Sequence, residues 1–230
     1  MTFLFPPHPT SVIPVQDSDH SFPVHRIYCV GQNYSDHVKE MGGDPRENPP
    51  VFFSKPSDAV VIGNQPVTYP QATSDLHYEV ELVVALASGG SDIDVEEALA
   101  RVFGYAVGID FTRRDLQAEA KKQGRPWDAA KGFDQSAPTS AIRSTNGGDH
   151  PLEGRISLSV NGETRQDAKL SDMIWSVPEI ISELSKYYEL KAGDLIFTGT
   201  PAGVSAVVAG DQIHAAIEGV GEIHFVLVAR

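Results

Sequence analysis

Two glutamates, Glu79 and Glu81, are separated by a single residue in a segment that has the pattern of a β-strand. Residues two apart on a strand point the same way, so the two carboxylates leave one face side by side. A solvated strand face is the commonest meaning of such a pair. Here the neighbours Val80, Leu82 and Val83 are apolar, which indicates burial of both faces. Two buried carboxylates repel each other unless a cation or a proton separates them, so the pair is a candidate cation site.

Asp110 offers a third carboxylate at the end of a second predicted strand, residues 102–111. One face of that strand carries mainly small residues, including Gly104, Ala106 and Gly108, which permit close approach of another group, as at the floor of a pocket. The alternative is that Asp110 caps the helix predicted to start at Thr112. Three carboxylates with no cysteine partner suit a hard cation, Mg²⁺ or Mn²⁺, better than zinc.

His37 and Glu40 are three residues apart on a short predicted helix, residues 34–41, and so share a face. A histidine oriented by a carboxylate can act as a general base near neutral pH. Glycines on either side would allow the segment to move as a lid. The alternative is an exposed polar turn.

Arg114 and Gln117 are also three residues apart, on a helix predicted over residues 112–123, and their shared face starts beside Asp110. An ordinary charged surface is the alternative, and it is our interpretation of Arg113, Lys121 and Lys122. Lys131 lies in an unusually apolar segment, and a surface lysine is the alternative. Gly199 and Thr200 belong to a tight turn after a predicted strand, and such a turn can present backbone N–H groups to a carboxylate.

The bulk composition excludes several classes of partner. The chain has 230 residues and a formal net charge of −13, which argues against nucleic acid and anionic membrane surfaces. The N-terminus lacks the basic and apolar regions of a secretory signal. The single cysteine, Cys29, lies in an apolar run and is predicted to be a core thiol. We therefore expect a soluble cytoplasmic protein.

Many short strands and few helices are predicted, without the regular alternation of a doubly wound parallel sheet. Strands are expected at residues 26–30, 51–54, 79–84, 102–111 and 194–198, and near 222–228. Residues 155–167 predict a hairpin with a type I′ turn at Asn161–Gly162, and helices are expected at residues 94–101 and 112–123. Ser176 and Glu179 predict a capping box for a helix that runs to about Leu190. We expect an irregular arm at residues 1–25 and one catalytic domain at residues 26–230.

Seven motifs in this order resemble the fumarylacetoacetate hydrolase family. They are GQNYSDH (residues 31–37), FSKPS (53–57), LHYEVEL (76–82), GIDFTRRDLQ (108–117), KGFD (131–134), VNG (160–162) and FTGTP (197–201). Each motif alone is weak, whereas the ordered set is highly specific. Within the family the chain is most similar to the small acylpyruvate hydrolases. The segments MGGDP (41–45) and PPVFF (49–53) resemble the members that cleave fumarylpyruvate.

The resemblance implies an α+β, β-rich fold of mixed sheets rolled into a barrel-like sandwich around the active site, usually as a homodimer. It also implies a reaction: hydrolysis of the C–C bond of a 2,4-dioxo acid to pyruvate and a carboxylic acid, in the catabolism of aromatic compounds.

The resemblance further implies roles for individual residues. Glu79, Glu81 and Asp110 match the ligands of Mg²⁺ or Mn²⁺, His37 and Glu40 the water-activating pair, and Lys131 the lysine that stabilises developing negative charge. The matching substrate-binding positions are Gln32, Tyr34, Lys55, Arg114, Gln117, Gly199 and Thr200. Many relatives have arginine where this chain has Gln32, and glutamine cannot form a charged bidentate pair with the far end of a substrate.

Two other functions are compatible with these residues. The first keeps the metal but changes the reaction, to isomerisation of 2-hydroxymuconate-type diacids or decarboxylation of oxaloacetate. The second is a non-catalytic binder of small carboxylates, which would need the ligands without the His37–Glu40 pair. The presence of that pair favours hydrolysis.

Overall fold

The computed structural model describes residues 2–34 and 49–230. Its strands within these ranges are β1 (Val12–Pro14), β2 (Ser21–Pro23), β3 (Ile27–Gly31), β4 (Val51–Lys55), β5 (Val60–Ile62), β6 (Val67–Thr68), β7 (Leu76–His77), β8 (Val80–Leu86), β9 (Val102–Ile109), β10 (Thr112–Arg113), β11 (Ala137–Thr139), β12 (Arg143–Ser144), β13 (Arg155–Val160), β14 (Glu163–Lys169), β15 (Leu195–Phe197), β16 (Ala206–Val207), β17 (Gln212–Ile217) and β18 (Gly221–Val228). The helices there are α1 (Val95–Ala98), α2 (Arg114–Gln123), α3 (Asp128–Lys131) and α4 (Val177–Ser185), with single 3₁₀ turns at Ser57–Ala59, Leu99–Arg101 and Leu170–Asp172.

The largest sheet has eight strands and mixes parallel with antiparallel pairs. Its order is β4-β3-β15-β8-β9-β11-β5, with β12 also paired to β9. Strands β3 and β15 run parallel, whereas β8 is antiparallel to both β15 and β9. A second sheet has the order β14-β13-β17-β18-β6. The predicted β-rich fold of mixed sheets is confirmed, and the chain is not a doubly wound parallel sheet.

Both faces of the central strand β8 are buried, as its apolar run predicted. Leu82 and Val84 belong to one hydrophobic cluster, and Val83 and Ala85 belong to another on the opposite face. Cys29 is buried in the second cluster, as expected of a core thiol. A strand with two covered faces has no solvated side, so polar side chains at its end must be satisfied by other protein groups or by a ligand.

Strand β9 follows its predicted alternation except near its start. Tyr105, Val107 and Ile109 lie in the first cluster and Ala106 in the second, but Phe103 packs on the second cluster against Phe22. A register irregularity between Ala85 and Leu86 in the β8–β9 ladder accompanies this reversal. A bulge of this kind inserts a residue and shifts the side-chain alternation, which a strict period of two does not anticipate.

Local sequence patterns predicted a turn and a helix N-terminus correctly. Asn161 and Gly162 both have positive φ, as a type I′ turn requires, and they join β13 to β14. The Ser176 N–H donates to Glu179 Oε2 at 2.8 Å, which forms the predicted capping box of α4. That helix ends at Ser185, earlier than predicted.

The N-terminal arm differs from the irregular segment that we predicted. Strands β1 and β2 pair in antiparallel register, and Ile13 and Phe22 are buried in the second hydrophobic cluster. The burial of these side chains stabilises a hairpin whose strands are too short to give a clear periodic pattern. Within the described ranges no helix is both long enough and apolar enough to span a bilayer.

Candidate active site

The β8–β9 ladder brings the three predicted metal ligands together. Glu81 lies opposite Gly108, and the Asp110 N–H donates to the Glu79 carbonyl oxygen at 2.8 Å. One carboxylate oxygen from each of Glu79, Glu81 and Asp110 lies within 4.8 Å of the others, and all three residues are buried. Antiparallel pairing thus places Asp110 beside the glutamate pair although it lies about thirty positions further along the chain.

The small residues on one face of β9 were predicted to form the floor of a pocket, but the structure shows a different cause. A Cβ at Gly108 would lie 2.5 Å from Val83 Cγ2 and 2.6 Å from the Phe197 ring. The space that glycine leaves is filled by core side chains, not by a pocket. Gly108 therefore allows Phe197 to pack under the site, and the cavity lies beyond the strand end.

Two buried lysines pair with Glu79 and Asp110 of the acidic cluster. Lys131 Nζ donates to Glu79 Oε2 at 2.8 Å and to Asp110 Oδ2 at 2.7 Å. Lys55 Nζ lies 2.8 Å from Asp110 Oδ1 and also donates to the carbonyl oxygens of Phe111 and Lys131. Buried charges are tolerated when they are paired and hydrogen-bonded in this way.

The pKa values of the two glutamates move in opposite directions. Burial alone would raise the pKa of Glu79, but the charges of Lys131 and Arg114 lower it to about 2. Burial raises the pKa of Glu81 well above its usual range, and the negative charges of Asp110 and Glu79 raise it further. A cation or a proton beside Glu81 would relieve this repulsion.

The turn after β15 supports the metal ligands from a third direction. The Gly199 N–H donates to Glu81 Oε2 at 2.8 Å. Gly199 has φ of +96°, and a Cβ there would lie 2.6 Å from Asn33 Cβ, so only glycine fits. Asn33, which is fully buried, donates through Nδ2 to the Thr198 carbonyl oxygen at 2.7 Å and so holds the turn in place.

Arg114 and Gln117 lie on one face of α2, as predicted, and both line the cavity. Arg114 Nη2 donates to Glu79 Oε1 at 2.5 Å, and Arg114 Nη1 donates to Gln117 Oε1 at 2.6 Å. Arg114 thus links Glu79 of the acidic cluster to Gln117 on the cavity wall.

The outer end of the cavity is formed by side chains with few partners. Gln32 is exposed and has φ of +61°, a left-handed conformation that is uncommon for a non-glycine residue. Trp127 packs against Phe53 with ring centroids 5.9 Å apart, and Lys121 Nζ lies 5.0 Å from the centroid of the Trp127 ring. Partial desolvation lowers the pKa of Lys121, and the positive charge of Arg114 lowers it further.

The structure brings most of the predicted site residues to one cavity. Its lining includes Gln32, Glu79, Glu81, Arg114, Gln117, Lys131 and Thr200. His37 and Glu40, together with most of the helix predicted at residues 34–41, lie outside the described residues. Their role stays a prediction.

Three predicted substrate-binding residues are placed differently. The fully buried Lys55 amine already has three acceptors, so it holds Asp110 from behind instead of facing a ligand. The Gly199 N–H is used by Glu81. Tyr34 is buried and is not among the described residues that line the cavity. The Lys55 amine and the Gly199 N–H thus support two of the predicted metal ligands, a role that spacing along the chain does not distinguish from substrate contact.

Sequence reasoning missed four residues of the site. Lys121 was interpreted as an ordinary surface lysine, but it lines the cavity together with Trp127. Asn33 and Gln166 are fully buried supports of the turn at Thr198–Pro201. Lys121 could have been found from its position, because it follows Gln117 by four residues and so shares its helix face. Asn33 and Gln166 carry no comparable local signal.

The donor set fits a hard divalent cation. The three clustered side chains offer only carboxylate oxygens, the ligands that Mg²⁺ and Mn²⁺ prefer. Burial and the neighbouring carboxylates raise the pKa of Glu81, and a cation held here would offset that repulsion.

Comparison with known proteins matches residues 26–228 to the family model described as fumarylacetoacetate (FAA) hydrolase C-terminal. A mitochondrial oxaloacetate tautomerase from Rattus norvegicus is 47% identical over 199 residues, covering 86% of this chain and 90% of the relative. A fumarylpyruvate hydrolase from Ralstonia sp is 45% identical over 172 residues, covering 75% of this chain and 89% of that protein.

Among solved structures, a fumarylpyruvate hydrolase from Pseudomonas aeruginosa in complex with Mn²⁺ and pyruvate superposes with a TM-score of 0.97. It is 47% identical, and the match covers 100% of both chains. The family match spans nearly the whole chain beyond the N-terminal hairpin. The chain belongs to the fumarylacetoacetate hydrolase family.

Proposed function

We propose that this protein is a metal-dependent hydrolase that cleaves the C–C bond of an acylpyruvate, such as fumarylpyruvate, to pyruvate and a carboxylic acid. The observation that carries the proposal is the buried Glu79–Glu81–Asp110 cluster with Lys131 bound against it. A similar structure, 47% identical over its full length, has Mn²⁺ and pyruvate in complex. We further propose a homodimeric, cytoplasmic enzyme, in keeping with the family resemblance.

The charge balance of the cavity favours an anionic substrate. The carboxylates of Glu79, Glu81 and Asp110 are matched by the cations of Lys55, Lys131 and Arg114, all of which lie in or directly behind the cavity. A divalent cation held by the three carboxylates would make the centre net positive and would supply Lewis-acid polarisation of substrate oxygens. An acylpyruvate carries a carboxylate next to a carbonyl group and fits such a centre.

Each chain residue then has a defined task. His37, oriented by Glu40, takes a proton from water, and the resulting hydroxide attacks the carbonyl carbon at position 4 of the substrate. The bond between carbons 3 and 4 breaks, which releases the acid and leaves the enolate of pyruvate to be protonated at carbon 3. Lys131, whose ammonium is fixed by two carboxylates, stabilises the negative charge that develops on the enolate oxygen.

His37→Ala tests the hydrolytic assignment. We expect pyruvate release from fumarylpyruvate to fall by about a hundredfold or more, because general-base catalysis contributes that much, whereas Mn²⁺ binding measured by calorimetry should be retained. Turnover that persists after complete removal of metal, or in the His37→Ala variant, would contradict the proposal.

A second candidate is a tautomerase or decarboxylase of oxaloacetate, which the 47% identity to oxaloacetate tautomerases favours. The same enolate chemistry serves both outcomes without attack by water. Product analysis separates the functions: pyruvate plus a second acid for hydrolysis, carbon dioxide for decarboxylation, and unchanged mass for tautomerisation. A protein that bound Mn²⁺ and small carboxylates but formed no product would be the non-catalytic binder.

A further inference from the structure

Gln166 is a buried residue of β14, outside every motif discussed above, whose side chain joins two walls of the active site. It is fully inaccessible to solvent. Its Oε1 accepts a hydrogen bond from the Val80 N–H at 3.0 Å, between the two glutamate ligands. Its Nε2 lies 2.8 Å from Thr200 Oγ1 and 2.8 Å from the Pro201 carbonyl oxygen. One amide therefore ties the metal-ligand strand to the turn that carries Thr200.

The direction of these hydrogen bonds is fixed by their backbone partners. The Val80 N–H can only donate, so the atom it meets must be the amide oxygen of Gln166. The Pro201 carbonyl can only accept, so the atom it meets must be the amide nitrogen. The same nitrogen faces Thr200 Oγ1, which must then accept.

A threonine hydroxyl has one hydrogen to donate. Because Thr200 Oγ1 accepts from Gln166, its own hydrogen must point away from Gln166. Within residues 2–34 and 49–230, no residue accepts a hydrogen bond from this hydroxyl. Thr200 lines the cavity together with Glu79, Glu81 and Lys131. The O–H is therefore left free to donate into this cavity.

We propose that Gln166 is a positioning residue that directs the hydrogen of the Thr200 hydroxyl toward a carboxylate oxygen of the substrate. The proposal rests on the proposed function and adds a specificity device to it. A hydroxyl that could rotate freely would accept from a donor as readily as it would donate. Because Gln166 occupies one of the two lone pairs of Oγ1, the O–H cannot turn toward Gln166, and the hydroxyl favours anionic oxygen atoms over alcohol or amide donors.

Two substitutions at Gln166 should have graded effects on pyruvate affinity. Gln166→Glu keeps the acceptor for the Val80 N–H but replaces the donor by an oxygen, so the Thr200 hydroxyl turns toward the introduced carboxylate and away from the ligand. Gln166→Met keeps the volume and leaves the hydroxyl free to rotate. We expect pyruvate binding to the Mn²⁺-loaded protein to weaken about 10- to 100-fold in the first variant and by a smaller factor in the second.

Thr200→Val provides the matched background, because it removes the hydroxyl at constant volume. In that background both substitutions at Gln166 should leave the residual pyruvate affinity within about twofold. Pyruvate affinity is measured by calorimetry, and Mn²⁺ affinity in every variant should stay within a few-fold of the parent. KM for an acylpyruvate should rise more than kcat falls.

If the Gln166 substitutions weaken pyruvate binding as much in the Thr200→Val background as in the wild type, the proposal is overturned. Such a result would mean that the substitutions disrupt the turn in general. Gln166→Met covers the case in which Gln166→Glu does not fold, because its neutral side chain adds no buried charge. A wild-type protein that neither binds pyruvate nor hydrolyses acylpyruvates would overturn the proposed function itself. Pyruvate binding with additive effects at the two positions would overturn only the role of Gln166.

Discussion

At the inner end of the cavity, Glu79, Asp110 and Lys131 are buried, and each is held by two or more charged or polar partners. At the outer end, Gln32 and Lys121 are exposed, and Lys121 has no carboxylate partner among the described residues. The inner end is preorganised for the cation that we propose there, so small changes there cost a great deal. The outer end can change its contacts at little cost, and we infer that it sets the preference for the acyl group.

Glu81→Gln should produce the largest effect at the inner end. Glu81 is the ligand with the fewest charged partners, so the substitution removes a metal ligand with little other disturbance. We expect Mn²⁺ affinity to collapse and turnover to fall by more than about a thousandfold. Added Mn²⁺, which should raise the Tm of the wild type through preferential binding to the folded state, should no longer do so.

Glu222→Gln is the control for this variant, because Glu222 is a surface residue that pairs with His214 and does not line the cavity. It should leave both Mn²⁺ affinity and turnover unchanged. Full activity of the Glu81→Gln variant would contradict the assignment of the metal site.

Lys55→Met should mainly reduce stability. It leaves Asp110 without one of its two buried cationic partners, a change that typically costs about 3–5 kcal/mol in the free energy of unfolding. Urea denaturation of the metal-free protein measures this cost. Lys122→Met, at an exposed position on α2, should change the free energy of unfolding by less than about 0.5 kcal/mol. A substrate-binding role for Lys55 would instead give a raised KM with unchanged stability.

Lys121→Met should produce the smallest effect, confined to the outer end. If Lys121 contacts a distal carboxylate, KM for fumarylpyruvate should rise about two- to fivefold, the range expected for an exposed ion pair. KM for acetylpyruvate, which lacks that carboxylate, should not change. The difference should shrink at high salt because exposed charges are screened. Equal effects on both substrates, or an equal effect of Lys122→Met, would show that Lys121 does not select the acyl group.

The contrast between the two ends also explains how well each could be predicted. The acidic cluster was predictable because the alternation of a predicted strand puts Glu79 and Glu81 on one face, and burial leaves the two carboxylates few alternatives. Lys121 was misjudged because a lysine on an amphipathic helix has the same pattern whether its end meets solvent or a cavity. Only the packing of Trp127 beside it distinguishes the two cases.

The sequence by itself determined the β-rich fold, the family, the hairpin at Asn161–Gly162, the capping box of α4 and the three carboxylates. Each of these is recorded either in local periodicity and turn chemistry or in an ordered set of motifs. Only the tertiary structure decided that Lys55 supports Asp110, that the Gly199 N–H belongs to Glu81 and that Gln166 holds Thr200. These contacts join residues 34 to 118 positions apart. Because a long-range hydrogen bond depends on how the sheets pack and leaves no periodic trace in the chain, no pattern of spacing could have revealed them.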